Sequence, residues 1–126
     1  HSPITKKIIV AYLIWRKPYM SIGGDTFIHN MLAKAGFENV FAHQQRYPII
    51  TLEDIAAQKP DFIFLSTEPF PFKEKFFNEF EHIAPPVLVD GEMFSWFGSR
   101  LKRAGDYFRE LNENLELSNP TSEAKE

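Results

Sequence analysis

The sequence predicts an α/β fold, a three-layer sandwich around a central, mainly parallel sheet, and three observations carry that reading. Four short apolar runs, "KIIVAYLIW", "NVF", "DFIFLS" and "PVLVDG", are each followed by a turn region and then by helical periodicity. Two of them are nearly continuous in apolar residues, as strands are when helices cover both faces of a sheet. Strands that alternate with helices imply right-handed crossovers and therefore parallel pairing.

The elements follow in order. After the first strand, Phe27, Ile28, Met31, Leu32 and Ala35 recur at helical spacing, and Gly36 is the stop. "FEN" is expected as a short connector on the amino edge of the sheet, with the strand beginning at "NVF". "TLED" announces the second helix: Thr51 caps it, Asp54 completes an Asp variant of the capping box, and Pro60 lies beyond its end. A third helix is expected from Lys73 to His82, with Phe76, Phe77 and Phe80 facing inward. The fourth starts near Ser99 and repeats Leu101, Ala104, Phe108, Leu111 and Leu115. The domain is expected to span residues 1–115, with "HSPITKK" at its start a remnant or linker and 116–126 a disordered tail.

Composition narrows the function classes. At 126 residues, 44% hydrophobic and 25% charged, the chain has the make-up of one globular domain large enough for a core of its own. A net charge of -3 with scattered basic residues gives no footprint for nucleic acid. The absence of cysteine excludes disulfides, thiolate zinc sites and a cysteine nucleophile. His29, His43 and His82 form no i, i+4 pair of the kind that holds a metal on a helix. There is no G-x-G-x-x-G, P-loop or G-x-S-x-G, and "SIGGD" is a poor imitation of a phosphate cradle. No catalytic residue, metal or cofactor is assigned. An α/β nucleotide- or flavin-binding enzyme domain is the alternative reading of the same pattern.

Ligands on parallel sheets bind at the carboxyl edge. The four connections expected there, Trp15 to Gly24, His43 to Ile50, Thr67 to Phe72 and Gly91 to Gly98, hold both tryptophans and a set of aromatic residues. Arg16, Arg46, Glu68 and Glu92 are interleaved with them. "LSTEPFPF" puts Glu68 directly after a buried strand, where a plain turn would carry Gly or Asn. Each ring also reads as core, and each acid as a solvated loop residue. Together they suggest a binding surface.

The stretches "YLIWRKPYMSIGGDTFIHNMLAKAGFENVF", "RYPIITLEDIAAQKPDFIFLSTEPFPF" and "VDGEMFSWFGSRL" resemble the C-terminal lobe of the helical-backbone periplasmic binding proteins. These are the substrate-binding components of ABC importers for cobalamin, ferric siderophores and haem, two-lobed proteins with the ligand held between the lobes. The resemblance implies a periplasmic or membrane-anchored protein whose N-terminal lobe is missing here. Its partners would be a metal-chelate small molecule and an ABC permease, and it would not be an enzyme. It also implies ligand roles for Trp15, Arg16, Tyr19, Met20, Tyr47, Glu92 and Trp96, to which the carboxyl-edge reading adds Glu68 and Phe70, with Glu53 docking on the permease.

Overall fold

The computed structural model describes residues 7–91 and 99–118, with the side chains of the last helix described over 106–116. Four parallel strands form the central sheet: β1 (Ile8–Leu13), β3 (Phe37–Asn39), β5 (Phe62–Ser66) and β6 (Pro86–Val89), in the order β3-β1-β5-β6. A miniature antiparallel pair, β2 (Tyr19–Met20) with β4 (Ile49–Ile50), lies outside it. The helices are α1 (Phe27–Lys34), α2 (Leu52–Gln58) and α3 (Ser99–Ser118). The expected three-layer α/β sandwich is therefore the observed one.

Strand alternation sorts the core into two halves. Val10, Tyr12, Phe62 and Phe64 point to one face, where Met31 and Leu32 of α1 and Phe108 of α3 cover them. Ala11, Leu13, Ile63 and Leu65 point to the other, under Ile55 of α2 together with Phe72 and Phe80. Because both faces are covered, β5 is buried at every position, which is why its sequence is apolar without a period of two.

Local signals explain the helix boundaries. Thr26 caps α1 by accepting a hydrogen bond from the His29 N–H at 3.1 Å. Thr51 and Asp54 exchange the two bonds of a capping box at 3.0 and 2.9 Å. Lys59, left-handed at φ 52°, closes α2.

Three expectations change. The second strand is Phe37–Asn39, not "NVF": Phe37 and Asn39 face inward, Glu38 faces out, and Ile8 pairs with Phe37. The buried Asn39 amide then ends the strand by donating to Ile22 O and accepting from the Phe41 N–H. The segment from Lys73 is not an α-helix but a 3₁₀ turn over Glu74–Glu79, with i→i+3 bonds from the Phe76 N–H to Lys73 O and the Phe80 N–H to Phe77 O. Phe80 is fully buried there, while Phe76 and Phe77 are half-buried. Finally, α3 runs to Ser118, so residues 116–118 are helical rather than tail, and 119–126 lie outside the described residues.

Candidate functional site

Strand order reverses at β1, whose neighbours are β3 on one side and β5 on the other, so the carboxyl ends of β1 and β5 flank a topological switch point. A cleft of about 430 Å³ opens there. Ile14, just past β1, and Ser66, the last residue of β5, line it together with Ile28 of α1, Tyr47, Glu68, Pro69 and Gly91.

The wall carrying Glu68 is tightly tied. The Ser66 hydroxyl donates to Glu68 O at 2.6 Å, and the Thr67 N–H donates to Val89 O at 3.0 Å. The Gly91 N–H donates to Thr67 Oγ1 at 2.9 Å, and the Phe70 N–H to Ile14 O at 3.2 Å. The ends of β1, β5 and β6 are thus cross-linked beneath the cleft. Opposite, the long β1–α1 connection is laced to the loop that carries Tyr47: the Ser21, Gly23 and Gly24 N–H groups donate to Pro48 O, Arg46 O and Gln44 O. A Cβ on Gly24 would lie 2.3 Å from Ala42 O, so this glycine serves close loop-to-loop approach, and no phosphate cradle is formed by its segment.

Of the residues expected to bind ligand, Tyr47 and Glu68 line the cleft. Trp15 is 38% exposed and packs edge-on against the half-buried Phe70, ring centroids 5.6 Å apart, so those two are together on the same edge. Met20 is half-buried in β2, bridged to Trp15, and lines no part of the cleft. Glu92 and Trp96, like Phe94 and Phe97, lie outside the described residues. Glu53 is exposed in the first turn of α2, beside a shallow groove it shares with Pro18, Tyr19 and Ile49.

Arg16 and Tyr19 are placed differently from the cleft position expected of them. The Arg16 Nε donates to both Glu79 oxygens, at 3.0 and 2.9 Å, its Nη2 donates to Oε2, and the Tyr19 hydroxyl donates to Oε1 at 2.6 Å. The guanidinium also lies 4.6 Å above the Phe76 ring centre. The bonds from Arg16 hold the Glu79 carboxyl below its usual range, and Glu79 in turn raises the Arg16 pKa. Desolvation first, and then the hydrogen bond to Glu79, push the Tyr19 phenol up to about 12, so it remains a donor at neutral pH. Glu79 was not a sequence candidate, because its partners stand 63 and 60 positions away.

Tyr12 lies under the same edge. Its ring is wholly buried, and its hydroxyl makes no hydrogen bond of good geometry among the described residues, with the Ser66 hydroxyl close by. Burial raises its pKa well above the usual phenol range, with the nearby Ser66 hydroxyl acting the other way. An unsatisfied buried polar group costs about 1–3 kcal/mol. Tyr12→Phe is therefore expected to stabilise the fold by about 1 kcal/mol, read as a higher urea midpoint at unchanged slope. A lower midpoint would mean that the hydroxyl is bonded.

Among the described residues, no group of three or more His, Asp and Glu side chains is placed to hold a metal ion, and no helix is long and apolar enough to cross a membrane.

No protein-family model matches the sequence, and no curated protein does. Solved structures do match. A possible iron-binding, periplasmic solute-binding protein from Staphylococcus epidermidis aligns with a TM-score of 0.71 at 21% identity, covering 90% of this chain and 47% of that one. The periplasmic vitamin B12 binding protein of Vibrio cholerae aligns at 0.73 and 14% identity, again covering 90% and 47%. The periplasmic haem-binding protein of the same organism gives 0.67 at 17%, covering 84% and 47%. The chain has the fold of one lobe of a periplasmic solute-binding protein. The lobe spans about half the length of these structures.

Five lining residues of the lobe's cleft, Ile14, Ile28, Ser66, Pro69 and Gly91, were not sequence candidates. Ser66 and Gly91 each end or follow a strand on the carboxyl edge, and that position was the available signal.

Proposed function

We propose that this chain is the C-terminal lobe of the substrate-binding component of an ABC importer, capturing a metal chelate of the ferric-siderophore, haem or corrinoid kind and delivering it to the permease. The observation that carries the reading is the open, mainly apolar cleft at the switch point of a lobe whose structural neighbours are solute-binding proteins for iron, vitamin B12 and haem. A second lobe of the same protein closes over the cleft, and the protein works on the periplasmic or extracellular side of the membrane. Tyr47, Glu68, Trp15 and Phe70 form the described part of the ligand wall, and the sequence resemblance assigns Glu92 and Trp96 to ligand binding as well. Glu53 meets the permease, its exposed carboxylate steering docking more than it stabilises the fold.

Tyr47 is 49% exposed, so its ring is available for stacking on a flat ligand. Tyr47→Ala in the two-lobed protein is expected to weaken chelate binding by about 1–3 kcal/mol, on the scale of aromatic stacking elsewhere, with little change in folding stability. Calorimetric titration with cobalamin, haem and ferric siderophores tests both statements. Binding of none of these chelates would sink the transport reading, and unchanged affinity in the variant would remove Tyr47 from the ligand wall.

A further inference from the structure

The charge balance of the cleft carries a statement about its ligand. Among the described residues that line it no side chain is basic, and Glu68 is the one carboxylate. Arg16 follows the lining residue Ile14 by two positions, on the turn that leaves β1. It is held on Glu79 through its Nε–Nη2 edge and stacked over Phe76. Such a bidentate pair is rigid as well as strong, because the planar fork of arginine matches the carboxylate. Tyr19 fixes the second lone pair of Oε1, and Lys17 acts on the same carboxylate. Arg46, next to the lining residue Tyr47, is largely solvent-exposed and faces Asp25 at 3.7 Å.

We propose that Glu79 is a specificity-determining residue that withholds the Arg16 charge from the cleft, so that this lobe selects metal chelates without net negative charge. The proposal rests on the reading of the chain as a chelate-binding lobe and deepens it. A chelate with no anionic rim loses nothing by facing an uncharged or acidic wall. One with carboxylates or catecholates would leave its anions desolvated and unpaired on this side of the cleft.

The test compares four probes by calorimetry on the two-lobed protein: cyanocobalamin and a cationic ferric trihydroxamate against haem, with its two propionates, and an anionic ferric tris-catecholate. The wild type is expected to bind the best of the first pair at least about tenfold more tightly than either of the second. Glu79→Gln should narrow that gap about tenfold by releasing Arg16, and adding Arg16→Gln to it should restore the gap. A wild type that prefers the anionic chelates overturns the proposal and leaves the transport reading intact. A gap unchanged in a folded Glu79→Gln protein overturns the part given to Glu79. Binding of no chelate at all removes the transport reading and this inference together. The wild-type comparison needs no variant, so the proposal stays open to refutation even if Glu79→Gln does not fold.

Discussion

Phe64→Ala is expected to cost about 3–5 kcal/mol of folding stability, the range for emptying a phenylalanine site in a packed core. Phe64 is fully buried at the middle of β5, the strand hydrogen-bonded on both sides, to β1 and to β6. Its ring meets Phe37 edge-on at 5.0 Å and Tyr12 at 6.3 Å, so truncation also removes two aromatic contacts of about 0.5–1.5 kcal/mol each. The neighbours cannot collapse into the space without pulling β3 from the sheet edge, since Phe37 is the first residue of that strand. Against a total of about 5–15 kcal/mol for a typical domain, the loss is a large fraction of the whole. In urea, with a slope of roughly 1–3 kcal/mol per molar, it appears as a midpoint lowered by one to several molar. A loss below about 1 kcal/mol would mean that the layer between the sheet and α1 is not where this fold keeps its stability.

That layer was legible in the sequence because its determinants are local. Uninterrupted apolar runs reported strands covered on both faces, and the spacing of Met31 and Leu32 reported the inward side of α1. Thr51 and Asp54 reported the start of α2, since a capping box needs only residues three apart. The carboxyl edge as the site of the cleft followed from topology, and Tyr47 and Glu68 are on it. What was not legible depends on partners distant in the chain. The start of the second strand is set by which residue meets Ile8, and nothing within "GFENVF" says that Phe37 does. The 3₁₀ turn arises where Phe72 packs against Phe76 and Phe80, Phe76 also against Phe70 and Phe80 also against Tyr19, which a helical spacing of phenylalanines does not distinguish from an α-helix. Arg16 and Tyr19 read as ligand residues because their carboxylate lies in a different element. A single unpaired-looking cation in a loop is ambiguous until its partner is seen.

Gly91→Ala should damage stability and the cleft together, which separates it from Tyr47→Ala. A Cβ at position 91 would stand 2.5 Å from Ser66 Oγ, 2.8 Å from Glu68 N and 2.9 Å from Glu68 O, and two of these three atoms are backbone. None can retreat freely. Ser66 Oγ is held by its bond to Glu68 O, the Phe70 N–H is tied to Ile14 O, and Gly91 itself is anchored through its N–H on Thr67 Oγ1. A methyl group therefore fits only if one of these bonds breaks or the Glu68 loop moves outward. Overpacking of this kind costs about 1–3 kcal/mol. Ser66, Glu68, Pro69 and Gly91 make up most of one wall of the cleft, so the same displacement reshapes the surface proposed to receive the chelate. The expected result is a loss of about 1–3 kcal/mol in denaturant unfolding and a fall in chelate affinity of more than about tenfold, the size of effect that misplaced binding groups produce. Backbone amide shifts in NMR spectra should concentrate at residues 66–70. Unchanged stability with unchanged amide shifts would mean that the ends of β5 and β6 are not held as closely as the hydrogen bonds among Ser66, Thr67, Glu68 and Gly91 require.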